Sequence, residues 1–305
     1  MTVVMTTPSV RDLDRLAGVL SSWQVDAGPL HLHPGDLGWH SSRGAVQTAA
    51  SLRVWSRAGR ILAIGLLDGP DGLLRMALDP HLRDEDALCR QLAADVTDPV
   101  RGVLEEGDAV VEARGAERFS QLLSEEGWQP DEPWTPLHRD VSGGVDDERV
   151  RGAGVRIEII DASRVDPWVS VHWSAFKGTP FGDEERRALR ERWLTMAGGP
   201  FYHRARSLAA FDSDDHAVAV TTVWLAGPGR PGLVEPMGVH RDHRGRGYGA
   251  AISVAAAAAL REMGSSSVAV CAESSNAAAV ATYVAAGFTA REPVVDLRRA
   301  CQGRG

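Results

Sequence analysis

The segment VHRDHRGRGYGAA, residues 239–251, combines residue types that could bind a phosphate ester. Its glycines alternate with bulkier residues directly before an alanine-rich segment that is typical of a helix. A glycine loop that leads into a helix leaves several backbone N–H groups free at the positive end of the helix dipole. Arg244 and Arg246 add positive charge beside Gly247 and Gly249. The chemistry indicated is a pyrophosphate lying across the start of the helix.

Other ligands for this glycine segment fit less well. A P-loop requires a lysine after its glycines, and this segment contains none. The dinucleotide fingerprint could be matched by Gly245, Gly247 and Ala250, but its glycines follow their strand immediately, whereas HRDHR intervenes here. RNA-binding RGG segments are repeated and disordered, and this sequence has one copy before a strong helix former. The glycines alone therefore leave the ligand open.

The elements that must position this segment form a regular order in the second half of the chain. A polar, glycine-containing stretch at 140–154 indicates a linker. After it, hydrophobic periodicity predicts a strand, two helices, three strands, a helix, a strand, a helix and a last strand. Their predicted ranges are 155–163, 165–176, 183–197, 205–211, 216–226, 232–239, 248–263, 266–273, 275–287 and 291–299. This order is typical of a mixed sheet with helices on both faces.

The first half of the chain repeats this order. Helices are predicted at 11–23, 86–96 and 116–128, and strands at 51–57, 60–67, 72–80 and 108–113. A duplicated domain is the simplest interpretation, and chance agreement of element order is the alternative. The expected fold class is therefore α/β, with two tandem domains at 1–145 and 152–305. Each would be a central, mixed, twisted sheet with helices on both faces.

Composition and charge exclude several classes of protein. The 305 residues are 44% hydrophobic and 24% charged, and the formal net charge is −8. Such a chain has no global positive field of the kind that holds DNA or RNA. Its apolar runs are shorter than the roughly 18 residues that a membrane span requires. We therefore expect a soluble globular protein that binds neither nucleic acid nor a membrane.

Cysteine and lysine usage indicate the cellular setting. Cys89, Cys271 and Cys301 are odd in number and form no CxxC pair, which disfavours a disulfide framework or a metal site. The first residues lack the features of a signal peptide. Lys177 is the one lysine among 33 basic residues, a bias typical of GC-rich bacterial genomes. We expect a bacterial, cytoplasmic protein that needs no metal.

Two motifs together resemble the GCN5-related N-acetyltransferase (GNAT) superfamily. Arg244-x-x-Gly247-x-Gly249 follows a strand that ends in EPMGVH, and SNAAAVATYVAAGF follows at 275–288. The resemblance covers about 152–300, and the predicted element order there is that of the family. It implies an acetyltransferase that uses acetyl-CoA. The duplicated layout resembles the fused two-domain members of the superfamily, mycothiol synthase among them.

The resemblance also implies where acetyl-CoA would bind. In the family, the cofactor lies in a wedge where the strand before the glycine loop diverges from the next strand. Backbone groups of Met237, Gly238 and Val239 would pair with the pantetheine arm, and the Val239 amide would act as an oxyanion-hole donor. Gly238 suits a bulge or kink of that strand. The implied pyrophosphate cradle consists of Arg244, Gly245, Arg246, Gly247, Tyr248 and Gly249.

Asn276 and Tyr283 match two further residues of the family. The family's asparagine lies near the cofactor arm, and its tyrosine is placed to protonate the leaving CoA thiolate. The two residues are seven positions apart, or two helical turns, so both can project from one face. Each also has a structural interpretation, since Asn276 could cap a helix and Tyr283 could pack in a core.

Acyl transfer to an amine requires a base, because an ammonium has no lone pair to attack with. Glu235 is the predicted base: it lies four residues before Val239, so strand alternation would place both on one face, and the family often has an acidic residue here. The alternative is a surface or ion-paired carboxylate. His172 and His203 are further candidates. Transfer is expected to be direct, with Cys271 a buried structural thiol rather than a nucleophile.

The first half lacks the cofactor residues. Alignment of the repeats places the carboxylates of 84–86 where a pyrophosphate would lie, and like charges repel there. Leu123 replaces the tyrosine and Ala116 the asparagine, whereas Arg83 survives opposite Arg244. We predict that 1–145 does not bind the cofactor and instead completes the second half or shapes its substrate cleft.

The acceptor is predicted to be a small-molecule primary amine, and the acidic balance favours a cationic one. Its pocket is expected from the helices after residue 165 and the loop near 200, where aromatic residues cluster: Trp173, Phe176, Phe181, Phe201, Tyr202 and His203. A non-catalytic acyl-CoA sensor or scaffold remains an alternative. So do, among enzymes, a mycothiol-synthase-like transferase, an antibiotic-modifying acetylase and a peptide or amino-acid N-acetylase. The sequence leaves monomer and homodimer open.

Overall fold

The computed structural model describes residues 2–69 and 72–300, so Cys301 lies outside the described residues. The strands are β1 (Val4–Thr6), β2 (Leu52–Arg57), β3 (Arg60–Leu67), β4 (Leu73–Leu78), β5 (Ala109–Glu112), β6 (Gln129–Asp140), β7 (Arg156–Ile160), β8 (Ala205–Phe211), β9 (Ala217–Trp224), β10 (Gly232–Val239), β11 (Ser267–Glu273), β12 (Thr289–Ala290) and β13 (Val294–Arg299). The helices are α1 (Leu13–Trp23), α2 (Pro34–His40), α3 (Ala45–Ala50), α4 (Asp86–Thr97), α5 (Glu117–Glu125), α6 (Glu148–Gly152), α7 (Val165–Phe176), α8 (Asp183–Ala197), α9 (Tyr248–Glu262) and α10 (Ala277–Ala285).

The α/β class is confirmed, and every predicted helix and strand is present within a few residues of its expected range. The missed elements are β1, α2, α3, β6, α6 and β12. Of these, β6 was hidden by Pro130, Pro133 and Pro136, because proline cannot donate to a strand ladder. The strand tolerates them because it changes partner along its length, pairing with β13 up to Trp134 and with β11 from Trp134 onwards.

One continuous sheet runs through both halves of the chain. Its order is β1-β2-β3-β4-β5-β13-β6-β11-β10-β9-β8-β7, with β12 beside β6. The strand that closes the first half in sequence, β6, pairs antiparallel with β11 of the second half. Conversely, the last strand, β13, lies between β5 and β6. The two halves therefore exchange strands, and the sheet continues across residues 145–152. The domain boundaries at 145 and 152 stay a prediction.

A wedge opens between β10 and β11. These two strands pair in parallel at Gly232 and Leu233 only, and β10 then continues along β9 through an irregularity between Val234 and Met237. In the first half, β4 and β5 likewise pair in parallel over 73–75 and then diverge. Each half therefore contains the divergence of two parallel strands that the sequence resemblance implies.

The two halves also share a hydrophobic core. A single cluster of buried side chains contains Leu16 and Leu37 from the first half and Trp168 and Trp224 from the second. Helix α2 packs so closely on Trp224 that a Cβ at Gly38 would lie 2.2 Å from the indole ring. This contact holds α2 against the second half. None of the helices in the described residues combines the length and the apolar character that a bilayer span requires.

Candidate active site

The backbone of β10 presents unpaired polar groups to the wedge. His240 N donates to Val218 O over 2.9 Å, and Val239 lies opposite Ala219. Because bonded and non-bonded pairs alternate in an antiparallel ladder, the N–H and C=O groups of Val239 and Met237 point away from β9, while those of Gly238 face β9. Two of the three predicted backbone contacts, Met237 and Val239, thus face the open side where β11 has diverged.

The bulge in β10 lies at Glu235 and Pro236, not at Gly238. Gly238 is needed for another reason: a Cβ there would lie 2.7 Å from the Ala175 Cβ on α7. The extra residue in the bulge also interrupts side-chain alternation. Val239 packs with the core beneath α9, whereas Glu235 approaches α2, so the argument that placed both on one face does not hold across the bulge.

The glycine loop has the geometry of an anion cradle. Gly245 and Gly247 adopt φ values of +77° and +82°, which favour glycine, and a Cβ on either would meet only open space. The amides of residues 245–250 donate to no carbonyl oxygen within the described ranges. Gly247 precedes the first residue of α9, where the helix dipole attracts negative charge. The loop therefore fits a diphosphate.

The other residues of the predicted cradle have more varied contacts. Gly249 is required by packing, since a Cβ there would lie 2.8 Å from Thr282 Cγ2 on α10. Arg244 donates to the Ala175 carbonyl over 3.0 Å and so binds the end of α7. Arg246 lies in the loop and is exposed, and Tyr248 is the first residue of α9. Part of the loop sequence therefore serves packing rather than ligand binding.

Asn276 and Tyr283 lie at the start and near the end of α10. Asn276 Oδ1 accepts a hydrogen bond from Ala279 N over 3.1 Å, which is the helix-capping role foreseen as its structural alternative. Tyr283 is buried and packs edge-on against Phe288, with ring centroids 5.6 Å apart. Burial raises the pKa of Tyr283 well above its ordinary value, so the phenol stays protonated at neutral pH and can donate a proton.

A cavity of about 470 Å³ lies between the two halves, and Val234–Met237 of β10 form part of its wall. Tyr283 and Glu235 line it from the second half, and the loop before α2, β4 and β5 line it from the first. Two arginines, Arg75 and Arg114, contribute positive charge. The carboxylates in its wall outnumber them; they are Asp36, Asp68, Glu112, Asp131, Glu235 and Asp296. Such a cavity suits a cationic ligand.

Glu235 has a strongly perturbed pKa in this cavity. Burial and the neighbouring Asp36 raise the pKa of Glu235 to about 8, while Arg75 opposes this rise. Arg75 Nη1 lies 2.8 Å from Asp36 Oδ1 and 3.7 Å from Glu235 Oε2. A carboxyl group whose pKa lies near neutrality can accept a proton as a general base.

Cys271 also lines the cavity, but its surroundings make it a poor nucleophile. Burial raises the pKa of the Cys271 thiol to about 11, so the thiol stays protonated. The nearby Arg114 lies 3.4 Å from the sulfur but is engaged by Asp296, at 2.9 Å. This environment agrees with direct transfer and with a structural thiol.

Most of the aromatic residues predicted for an acceptor pocket lie elsewhere. Phe176 lines the cavity, whereas Phe201 is buried in the shared core and Trp173 stacks on Phe181. Tyr202 donates to Ser207 Oγ over 3.1 Å. His172 is part-buried among the rings of Trp39, Trp168 and Phe176, and this desolvation lowers its pKa to about 4. His203 does not line the cavity.

Sequence reasoning missed the residues that the first half contributes, above all Asp36, Arg75 and Glu112. The signal for α2 was present in HPGD, residues 33–36. The His33 side chain accepts a hydrogen bond from Gly35 N, and Asp36 Oδ2 accepts one from His33 N. This is a capping arrangement that marks the start of a helix. Its position in the cavity, by contrast, follows from tertiary packing.

In the first half, the chain's own loop lies against the strand that is equivalent to β10. Met76 is opposite Met237 in the repeat alignment, and its carbonyl accepts a hydrogen bond from Leu32 N over 3.3 Å. The chain's own loop thus takes the place of an extended ligand arm in that wedge. At the start of α4, Asp86 binds Arg90 and Arg118 and would repel a diphosphate.

Comparison with known proteins agrees with this geometry. Residues 166–288 match the acetyltransferase (GNAT) family. This part of the chain is a GNAT acetyltransferase domain. The match includes the wedge, the glycine loop of the GNAT domain and Tyr283, and it identifies the protein as an acyltransferase.

Relatives and structural neighbours of the whole chain extend the similarity to both halves. Mycothiol acetyltransferase of Thermobispora bispora is 28% identical over 231 residues, 73% of either chain. Mycothiol acetyltransferase of Clavibacter michiganensis is 31% identical over 151 residues, 50% of this chain and 47% of that protein. A tandem GNAT protein from the clavulanic acid biosynthesis pathway superposes over 100% of both chains with a TM-score of 0.64 at 17% identity. The predicted tandem GNAT fold is thereby confirmed.

Proposed function

We propose that the protein is an acetyl-CoA-dependent N-acetyltransferase that moves an acetyl group directly to a primary amine of a cationic small molecule. The observation that carries this proposal is the open wedge. The amide of Val239 faces it, free diphosphate-binding amides lie at one end, and the cavity with Glu235 and Tyr283 adjoins it. Acetyl-CoA would supply the activated acetyl group at this position.

The residues of the site have complementary tasks in direct transfer. Glu235 accepts a proton from the incoming amine, which leaves the nitrogen lone pair free to attack. The Val239 amide donates a hydrogen bond to the carbonyl oxygen as negative charge develops on it. Tyr283 donates its phenolic proton to the departing sulfur. The amides of residues 245–250 hold the diphosphate at the start of α9.

The charge of the cavity supports a cationic acceptor. Its carboxylates outnumber its arginines, and both halves of the chain contribute them. An ammonium group gains favourable electrostatic interaction on entering such a cavity, and Glu235 then receives its proton. An acceptor like that of the mycothiol acetyltransferases is the specific candidate that the named relatives favour.

The proposal is tested by thiol release from acetyl-CoA in the presence of a panel of amines. The panel contains the acceptor of mycothiol acetyltransferases, aminoglycosides, polyamines and amino acids, with neutral alcohols of similar size as controls. We expect amine-dependent release and an N-acetylated product by mass spectrometry. Saturable acetyl-CoA binding without release for any amine would instead favour an acyl-CoA sensor.

Tyr283→Phe tests the acid role separately. It keeps the ring that packs on Phe288 but removes the proton donor, so we expect kcat to fall at least about 100-fold with little change in acetyl-CoA affinity. Tyr202→Phe is the control, because it removes the hydroxyl of a part-buried tyrosine that does not line the cavity and whose partner is Ser207. Equal kcat values for the two variants would contradict the assignment.

A further inference from the structure

Arg75 extends from the first half towards the candidate base of the second. It is the last residue of β4 that pairs with β5, opposite Glu112, so the backbone around it is held in the sheet just before the strands diverge. Its side chain is 21% exposed and bonds to Asp36 on α2. Among the described residues, no other basic side chain has a nitrogen within 4.0 Å of the Glu235 carboxylate.

We propose that Arg75 is a positioning residue for Glu235, which holds the carboxylate of the base beside Asp36 and keeps it able to accept a proton. This inference rests on the proposed function, because it concerns the base of that reaction. It assigns a task to the half of the chain that is predicted not to bind the cofactor.

The electrostatic reason is the crowding of acids around Glu235. Asp36 on α2, Asp68 after β3 and Glu112 on β5 line the same cavity, together with the neutral Tyr283 on α10. Carboxylates brought this close cannot all ionise unless a cation lies among them. Arg75 lies 2.8 Å from Asp36, 3.5 Å from Asp68 and 4.0 Å from Glu112 as well as 3.7 Å from Glu235, so one guanidinium serves four acids.

The consequence is a dependence of the base on a residue outside the acetyltransferase domain. Removal of the Arg75 charge would favour the protonated form of Glu235, since the surrounding acids would then be uncompensated. Removal of the Asp36 charge would have the opposite effect on Glu235. It takes away a negative neighbour, and Arg75 then no longer shares its positive charge with Asp36. The two substitutions are therefore expected to shift the titration of Glu235 in opposite directions.

The test is a carbon NMR titration of the full chain labelled at the glutamate side-chain carboxyl carbon. Glu235→Gln identifies the resonance, and no acceptor amine is needed. In Arg75→Met we expect the midpoint to rise by at least about one pH unit, and in Asp36→Asn to fall by a similar amount. Arg75→Lys keeps the charge and is expected to stay within about half a unit of the native midpoint.

Arg57→Met is the matched control, because Arg57 pairs with Glu85 within the first half and does not line the cavity. Arg75→Gln, which keeps a hydrogen-bond donor, replaces the methionine variant if the latter does not fold. An unchanged midpoint in the neutral Arg75 variant, or an equal shift in Arg57→Met, would overturn the proposal. The NMR titration can be measured even if no amine is acetylated. Absence of acetylation would refute the proposed function, not the role of Arg75.

With an accepted amine, kcat/KM supplies a second readout. If the pKa of Glu235 rises by one unit in Arg75→Met, kcat/KM should fall about tenfold at pH values below that pKa. At pH values well above it, kcat/KM should equal that of the native chain. A loss that is the same at every pH would indicate a merely structural role and would also overturn the proposal.

Discussion

At the scale of the residue, the proposed base Glu235 would link activity to stability. Its side chain is 27% exposed, and burial raises its pKa to about 8 from an ordinary value of 4.5. A native carboxyl with a raised pKa binds its proton more tightly than the unfolded chain does. The folded state is then stabilised relative to the unfolded one at low pH and loses that advantage as the pH rises from about 4.5 to about 8.

Glu235→Gln is therefore expected to remove a pH dependence of stability as well as activity. Relative to the native chain, the variant should gain at least about 1.4 kcal/mol of unfolding free energy between pH 5 and pH 8, the value of a single pKa unit. Denaturant titrations at both pH values measure this change, and any pH-independent cost of the substitution cancels. Glu148→Gln, at an exposed position, is the control, and a native-like pH profile in Glu235→Gln would contradict the assignment.

At the scale of the element, the start of α9 combines an unusual backbone with an open surface. Gly247 has a positive φ and free space where a Cβ would project. Its conformation thus costs any other residue stability, and its open face is where the diphosphate would lie. The conformational cost can be separated from the ligand contact, because other glycines of the chain have a positive φ but do not lie at the proposed diphosphate site.

Gly247→Ala and Gly127→Ala form such a matched pair. Gly127 also has a positive φ with free space beside it, but it follows α5 in the first half. We expect each substitution to lower the unfolding free energy by about 1–2 kcal/mol, the cost of a left-handed alanine. Only Gly247→Ala should weaken coenzyme A binding, by about tenfold or more in calorimetric titration, because its methyl group would occupy the phosphate position. Equal affinity in both variants would contradict a diphosphate site at α9.

At the scale of the whole molecule, the strand exchange makes the two halves one unit. The first half receives β13 beside β5, the second receives β6 beside β11, and Arg114 of the first half pairs with Asp296 of β13 in a buried ion pair. A half expressed alone would lack a strand that its sheet requires. Contacts of this kind couple the unfolding of the parts that they join.

We expect the full chain to unfold in a single transition, followed in parallel by tryptophan fluorescence and far-ultraviolet circular dichroism. A chain that ends at residue 292 lacks β13 and should unfold at a lower midpoint, whereas a chain that ends at residue 300 keeps β13 and serves as control. Two separate transitions in the full chain, or a β13 deletion that leaves the midpoint unchanged, would show that the exchanged strands do not couple the halves.

The sequence by itself determined most of the helices and strands and the glycine loop of this protein. Helices such as α9 and strands such as β9 follow from local hydrophobic periodicity, and the motifs around Gly247 and Tyr283 carry their spacing within one contiguous segment. The prediction that the first half does not bind the cofactor likewise rests on a local pattern, the acidic residues at 84–86. These features depend on neighbours in the chain, which is why one-dimensional patterns predict them.

Only the tertiary structure decided which side chains meet at the candidate site. Asp36 and Arg75 lie far from Glu235 in sequence, and the packing of α2 on Trp224 and the divergence of β4 from β5 bring them to it. The bulge at Glu235 likewise reverses an alternation that local reasoning assumed. Strand exchange through β6 and β13 involves pairings between distant segments, and its free energy comes from contacts that no local pattern records.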